Sequence, residues 1–320
     1  MKELSIIIIS FNTRSILKDC LNSVFQHLHG IEFETIVIDN ASTDGSCEMI
    51  ETKFPKVKLV RNKKNRGFGQ ANNQGIKIAL GKHLLFLNSD TLVFDGSIQK
   101  LLTFLQKDAE VGVIAPQILN KDKTIQLSAF ARFPNLFSEL LIDFLLDRIL
   151  NRLFPLWNYP GRFSLSKKQH KKNQEVAFVI GACFLAPKEI IGKVGGFDKR
   201  YFFYVEETDL MKRLKDKGYR VYFLSDAKII HLGGASTAGK TNNKKYNYLL
   251  ENWYQFFKLH YGGLYLFWVK TVDICGGIFS LIVLSLSWII MKLFFGSEQK
   301  VQEAMLWPYH LIRFNFFGAK

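Results

Sequence analysis

Apolar positions in the first ninety residues switch repeatedly between two periods. Leu4–Ile9 is a nearly continuous β-branched run, the pattern of a strand buried on both faces of a parallel sheet. After Ser10-Phe11-Asn12-Thr13 the period lengthens. Leu17, Cys20, Leu21, Val24, Phe25 and Leu28 fall on one helical face, with Asn12 or Thr13 as N-cap. Thr35–Ile38 is a second strand, ending in Asp39-Asn40. Ala41–Gly45 then opens a short helix with Cys47, Ile50 and Phe54 inside, Glu48 and Glu51 in solvent, and Pro55 at its end. Val57–Val60 and His83–Leu87 are further strands, and Gly67–Gly81 is a loop leading into a helix. Such alternation predicts an open, mostly parallel α/β sheet, whose ligands bind beyond the carboxyl ends of the strands. Asn12, Asp39, Asp44 and Asp90 gather at those ends.

The pattern is less regular in the middle of the chain. Leu136–Leu156 is a strongly apolar helical stretch interrupted by Glu139, Asp143, Asp147, Arg148 and Arg152. It is amphipathic enough to lie on a membrane or to pack under a loop. Lys167–Lys172 reads as an exposed basic loop. Structured character returns at Val176–Leu185, continues through a helix at Thr208–Lys217, and reaches strands at Tyr219–Leu224 and Ile229–His231. Ile274–Met291 then carries no charge and is about long enough to cross a bilayer as a helix. Leu264–Val269 in front of it is also apolar and aromatic. Gly276-Gly277 and three serines weaken the span signal, so a buried or interfacial hairpin is the alternative. Lys292, Lys300 and Arg313 suit an anionic cytoplasmic leaflet.

Charge narrows the partners. A net charge of +15 calls for a negative partner or surface: nucleic acid, anionic lipid or a diphosphate. The basic clusters at Arg61–Arg66 and Lys167–Lys172 lie between apolar elements, without a helix-turn-helix, zinc-finger or RNA-recognition pattern, so no nucleic-acid partner is expected. Cys20, Cys47, Cys183 and Cys275 are scattered, without metal or redox spacing, and read as buried small hydrophobes in a reducing compartment. The chain enters its first strand at Leu4, leaving no room for a signal peptide, and is expected to begin folding in the cytoplasm.

Several residues can carry chemistry. Asp90, just past a strand, can hold Mg2+ or Mn2+ against a diphosphate, or can cap a turn. Asp39 and Asp44 can accept hydrogen bonds from a base or ribose, although helix capping explains Asp44 well. Asn65-Arg66-Gly67-Phe68-Gly69, with Asn72 and Asn73, is a glycine-bearing loop before a helix, suited to close approach by an anion. Phe202–Leu210 carries Glu206, Glu207 and Asp209 at a helix start. These complement the helix dipole, or one glutamate is a general base in a partly apolar site. His231 can complete a metal site or satisfy a local hydrogen bond.

Seven ordered segments, "SIIIISFNTRSILKDCLNSV", "IVIDNASTDGS", "NRGFGQANNQGI", "LLFLNSDTLV", "GACFLAPKEII", "VGGFDKRYFFYVEETDL" and "HLGGAS", resemble the family-two glycosyltransferases of the GT-A fold, particularly the bacterial rhamnosyltransferase-like branch. The resemblance covers residues 4 to about 236. It implies a GT-A domain over 1–240, with a donor half to about 115 and an acceptor half beyond, and leaves outside it the apolar 241–320, which its hydropathy makes a helical, membrane-associating region. It implies that Ser10, Asn12, Asp39, Asn40 and Asp44 form the base and ribose surface, and that Asn65, Gly67 and Asn72 support the diphosphate. Asn88-Ser89-Asp90 matches the metal-binding DxD motif with Asn88 in place of its first aspartate, leaving Asp90 as the principal ligand of Mg2+ or Mn2+ with His231 as helper. Glu206-Glu207 resembles the family's acidic pair, with Glu207 in the place of the catalytic base and Asp209 in support. Gly181–Phe184 and Gly195–Asp198 would shape the acceptor pocket. The implied reaction is inverting transfer from a dTDP- or UDP-sugar, with rhamnose favoured, to a lipid-linked or cell-surface glycan at the cytoplasmic face of the membrane. A nonenzymatic nucleotide-sugar-binding or membrane-associated module is the alternative.

Overall fold

The computed structural model describes residues 2–153, 165–233, 242–295 and 299–317. They fall into two compact units, one drawn from 1–133 and 164–239 and the other from 134–163 and 240–320. The second unit therefore takes a segment from the middle of the chain as well as the C-terminal helices. Residues 154–156 of the expected long helix and Gly234, Ala235 and Ser236 of "HLGGAS" lie outside the described residues.

The first unit begins as its periodicity predicts, with strands β1 (Leu4–Ser10), β2 (Phe33–Asp39), β3 (Lys58–Arg61) and β4 (His83–Asn88) separated by helices α1 (Arg14–His27), α2 (Ser46–Lys53) and α3 (Phe68–Ile78). β5 (Thr91–Val93), α4 (Ser97–Lys107), β6 (Val111–Leu119) and β7 (Ala129–Phe130) follow. After the second unit's α5 (Leu136–Asp143) and α6 (Leu146–Leu153) come β8 (Gln174–Val176), β9 (Phe178–Val179), β10 (Cys183–Pro187), α7 (Lys188–Lys193), α8 (Glu206–Asp216) and β11 (Arg220–His231).

One sheet runs β3-β2-β1-β4-β10-β6-β11-β5, with β8 also on β11, and β7 and β9 form a separate pair. β3, β2, β1 and β4 are parallel neighbours, β10 enters antiparallel between β4 and β6, and β6 and β11 are parallel again. Alternation along β1 divides the core. Leu4, Ile6 and Ile8 face Leu17, Leu21 and Val24 of α1 and Leu101 and Leu105 of α4. Ile7 faces the other layer, with Ala71 of α3 and Leu210, Met211 and Leu214 of α8. A sheet covered on both faces explains the unbroken β-branched run.

Several sequence expectations need correction. The strands expected at Tyr219–Leu224 and Ile229–His231 are one strand, β11, whose register on β6 shifts between Leu224 and Lys228. The bulge interrupts the apolar alternation without interrupting the ladder. The single helix expected from Leu136 breaks after Phe144, where Leu145 takes φ 59°, giving α5 and α6. Cys275 is exposed, unlike Cys20, Cys47 and Cys183. The basic Lys167–Lys172 stretch is no plain loop: it contains a 3-10 turn, and His170 within it is fully buried.

His170 is held in one neutral tautomer. Its Nε2 accepts from the backbone N–H groups of Ser128 at 3.0 Å and Ala129 at 3.2 Å, so Nδ1 carries the hydrogen that meets Ser166 O at 3.0 Å. Burial pushes its pKa below the ordinary value of 6.5. The unfolded state therefore binds this proton more readily. The stabilisation is complete above the unfolded value and is lost as pH falls through about 6.5. Melting temperature should drop between pH 7 and pH 5, and His170→Gln should show a shallower drop. Equal slopes would remove His170 as the acid-sensitive group.

The second unit adds α9 (Asn242–Tyr261), α10 (Gly263–Phe295) and α11 (Gln299–Phe317). Its apolar helix begins at Gly263, well before the uncharged stretch that starts at Ile274. Gly263–Ile289 is long and apolar enough to cross a membrane, and only 28% of its most apolar window is buried within the chain.

Candidate active site

The carboxyl end of β4 is the organising point. Register pairs Ser10 with Asp39 across β1 and β2, and Ile9 with Asn88 across β1 and β4, so these residues stand level at one sheet edge. The chain turns through Ser89-Asp90 into β5, which pairs antiparallel with the end of β11 and sets Thr91 opposite His231. Leu232 N–H donates to Asp90 O at 2.9 Å and fastens the turn. His231 Nε2 then lies 3.2 Å from Asp90 Oδ1, with both side chains largely buried. On its other side, His231 Nδ1 lies 3.0 Å from Gln126 Oε1, an acceptor, so Nδ1 carries the hydrogen. With the imidazole neutral, Nε2 presents a lone pair to a carboxylate oxygen; with it protonated, the two form an ion pair. In the neutral form the two facing acceptors leave room for a cation between them, and an imidazole with a carboxylate suits a divalent metal. Asn88 contributes its backbone: its N–H donates to Ala182 O at 2.9 Å, and its carbonyl accepts from Thr91 Oγ1 at 2.7 Å.

The turn before β10 connects this edge to the acidic pair. While Ala182 holds Asn88, the Gly181 N–H donates to Glu207 Oε1 at 3.3 Å. Glu206 and Glu207 open α8, behind Tyr204 and Val205 at φ 75° and 71°. Consecutive positive φ values at non-glycine residues are strained, and such strain persists where surrounding structure enforces it. Part of that enforcement comes from Gly67, whose neighbour Phe68 donates its N–H to Phe202 O at 2.9 Å. Glu206 is buried, and its Oε2 has no hydrogen-bond partner. Burial, then the Glu207 charge, lifts the Glu206 pKa well above the ordinary carboxylate range. Burial lifts Glu207 as well, against the opposing pull of backbone N–H groups that include Gly181. Glu207 is only half-buried, so a substrate can reach it. The arrangement provides one carboxyl that favours its neutral form beside one able to accept a proton.

Asp209 has a different role. It is 1% exposed, forms a 2.8 Å ion pair with Arg213 one turn along α8, and receives Tyr201 OH at 3.4 Å. Arg213 also donates to the carbonyls of Val194 at 2.5 Å and Gly196 at 2.9 Å. Asp209 therefore positions the 194–196 turn and the start of α8 and is not placed to transfer a proton.

The expected nucleotide surface divides similarly. Asp39 is buried, accepts Ser42 N–H on Oδ1 at 2.8 Å and leaves Oδ2 without a partner, a vacant acceptor at the strand end. Asp44 is occupied as a cap. Its Oδ2 takes the Arg14 N–H at 2.8 Å, doing for α1 what Asn12 and Thr13 were expected to do, and its Oδ1 takes the Ser46 hydroxyl at 2.6 Å. Asn12, at φ 53°, accepts Thr43 N–H at 2.8 Å, clipping the first loop to the second. Asn40 is buried and donates to Gly67 O at 3.1 Å while accepting from Asn62 at 3.0 Å. Asn65 Oδ1 accepts Gly67 N–H at 2.8 Å, and buried Asn72 donates to Phe68 O at 3.1 Å. Asn12, Asn40, Asp44, Asn65 and Asn72 thus shape the loops, while Ser10, Asp39 and Gly67 line the edge they shape.

Two partners of the candidate site residues are not among those the sequence points to. Arg213 stands at i+4 from Asp209 on a helix, a spacing that could have revealed it. Gln126 gave no signal, because it meets His231 only through tertiary folding.

The chain is similar to several known glycosyltransferases. The chain is 28% identical over 216 residues to an N-acetylglucosaminyl-diphospho-decaprenol L-rhamnosyltransferase of Mycobacterium tuberculosis, covering 63% of this chain and 67% of the relative. It is 26% identical over 234 residues to the O-antigen biosynthesis protein RfbC of Myxococcus xanthus, covering 72% of this chain and 17% of that protein. Among solved structures, a mannosyltransferase from Pyrobaculum calidifontis in complex with GDP-Man and Mn2+ superposes with a TM-score of 0.61 at 13% identity, covering 100% of this chain and 88% of the other. GalNAc-T7 with UDP, GalNAc and Mn2+ gives a TM-score of 0.58 at 18% identity, covering 81% and 48%. The fold is GT-A. Residues 5–195, more than half of the chain, match the family described as glycosyl transferase family 2, and the protein belongs to that family.

Proposed function

We propose that this glycosyltransferase works by inverting displacement, moving a sugar, rhamnose in the leading reading, from a nucleoside diphosphate donor to a lipid-linked acceptor at the cytoplasmic face of a membrane. The observation that carries the mechanism is the pair of neighbouring residues Gly181 and Ala182. One holds the Glu207 carboxylate and the other holds the end of β4 that leads into Asp90. Base and leaving-group ends are thereby set on one short turn, and such fixed positioning supplies much of the acceleration in direct transfer.

Glu207 takes the proton of the acceptor hydroxyl as that oxygen bonds to the anomeric carbon. The bond from that carbon to the diphosphate oxygen breaks on the opposite face, and the nucleoside diphosphate departs with the electron pair. Asp39 Oδ2 accepts from the base or ribose. Asp90 and His231 would hold Mg2+ or Mn2+, which when bound supplies positive charge to the leaving diphosphate. The rhamnosyl and lipid-linked parts of the reading are supported by the name of the mycobacterial relative, and the membrane by the apolar, largely uncovered α10.

A panel of dTDP- and UDP-sugars with Mn2+ tests the reading. One donor should raise the melting temperature and release nucleoside diphosphate when a prenyl-diphosphate-linked glycan is added. Asp90→Asn should remove both the Mn2+ dependence and the turnover. Donor binding without turnover for every acceptor would instead favour a nonenzymatic binding module.

A further inference from the structure

The helical unit contains a second acidic group that sugar transfer leaves without a role. One carboxylate oxygen from each of Glu139 and Asp143 on α5 and Asp273 on α10 lies within 4.8 Å of the others. Asp143 and Asp273 are 5% and 3% exposed. Their approach is built into the helix packing. A Cβ at Gly276 would stand 2.5 Å from Asp143 Cβ, so glycine there lets α5 and α10 close together. Ser280, one turn along, donates its hydroxyl to the Asp143 carbonyl.

Hydrogen bonding accounts for only part of the group. Tyr254 OH donates to Asp273 Oδ2 at 2.6 Å, and the Asn315 amide donates to Tyr254 OH at 2.7 Å. Asp143 Oδ2 and Asp273 Oδ1, both buried, have no donor from outside the cluster, and the two side chains lie close enough to share a proton with each other. None of the three carboxylates is in an ion pair among the described residues. Lys270 stands with its Nζ 5.0 Å from the centre of the Tyr254 ring. Buried carboxylates repel one another and lose hydration together, so the cluster requires positive charge in its midst or protons on its oxygens. Two buried carboxylate oxygens on two different helices, with no donor from outside the cluster, are where a coordinated ion can replace a shared proton. The ligands are all oxygen, the set that hard divalent cations select.

We infer that Glu139, Asp143 and Asp273 form a second divalent-cation site, of the Mg2+ or Ca2+ type, which pins α5 to α10. The site is chemically distinct from Asp90–His231, which offers an imidazole. Its role is to fasten an internal segment of the chain to the C-terminal helices.

Full-length protein in detergent, stripped with chelator, is dialysed against Mn2+ without nucleotide, and the bound ion is counted. Asp90→Asn provides a background in which the catalytic site is silenced. One ion per chain should remain there, and adding Ca2+ alone should raise the melting temperature. In that background Asp143→Asn or Asp273→Asn should weaken binding by more than about tenfold and abolish the Ca2+ response. Glu139→Gln, at the half-buried rim, should weaken binding in the same direction if either aspartate variant misfolds. The inference fails if the Asp90→Asn protein binds no ion. It fails equally if asparagine at 143 or 273 leaves ion binding unchanged, or if wild-type protein binds no ion while the asparagine variants melt higher, which would mean that protons keep the cluster neutral.

Discussion

Glu207→Gln should lower turnover roughly a hundred- to ten-thousand-fold while leaving donor binding intact, the range expected when a positioned general base is lost. The amide has nearly the shape of the carboxylate, and its oxygen can still accept the Gly181 N–H that now meets Glu207 Oε1 at 3.3 Å. The loss therefore isolates basicity from packing. Thermal shift with donor and Mn2+ should be unchanged, and released nucleoside diphosphate should fall. Unchanged turnover would transfer the base role away from Glu207. The pH profile adds a second check. Burial raises the Glu207 pKa, and the base works only when ionised, so the rate should rise with pH through a limb lying above the ordinary glutamate range. Because Glu206 titrates beside it, that limb belongs to the pair. Stability follows the opposite direction for Glu206. Its folded pKa exceeds its unfolded value, so its contribution is complete below the unfolded value and is lost as pH rises through the folded one. Glu206→Gln should consequently gain melting temperature over wild type as pH increases.

Gly67→Ala should be the most damaging small substitution in the donor loop. Gly67 sits at φ 79° and ψ 179°, a region essentially restricted to glycine. A Cβ there would stand 2.1 Å from Phe202 O, the oxygen that receives Phe68 N–H. The backbone must move, because a carbonyl oxygen cannot rotate away as a side chain can. Strain of about 1–3 kcal/mol from the dihedral angles alone, with the collision added, should lower the melting temperature by roughly 5–10 °C. Turnover should fall further than stability explains, since Phe202 precedes the strained Tyr204-Val205 turn that aims Glu206 and Glu207. Gly96→Ala is the matched comparison. Gly96 has φ 69° but nothing within 4 Å of its Cβ position, so only the dihedral penalty of about 1 kcal/mol applies. Equal melting temperatures for the two variants would mean that the Gly67–Phe202 contact does not constrain the loop.

Residue type and position near a strand end leave several uses open for a polar side chain. Asp44 is an example. Its place after a strand suits either a ligand acceptor or a helix cap, and both its oxygens are taken by the starts of α1 and α2. Asn40 and Asn72 were absorbed in the same way by the 62–68 loop and by α3. Short polar side chains near strand ends serve loops as readily as ligands, and their residue type does not separate the two uses.

What the amino-acid order determined by itself was local. Alternation between strand and helix periods specified β1 to β4 with their helices, and adjacency in the chain placed Glu206, Glu207 and Asp209 at one helix start, since both depend on neighbours within a few residues. The tertiary structure decided everything that needed distant segments to meet. The antiparallel pairing of β5 with β11 brought His231 to Asp90, Gln126 then oriented the histidine, and β10 inserted between β4 and β6 to join Asn88 to Glu207. The same holds for α5, which belongs with the C-terminal helices and not with the sheet. Strand register and loop closure are set by the whole core at once, so no window of the sequence contains them.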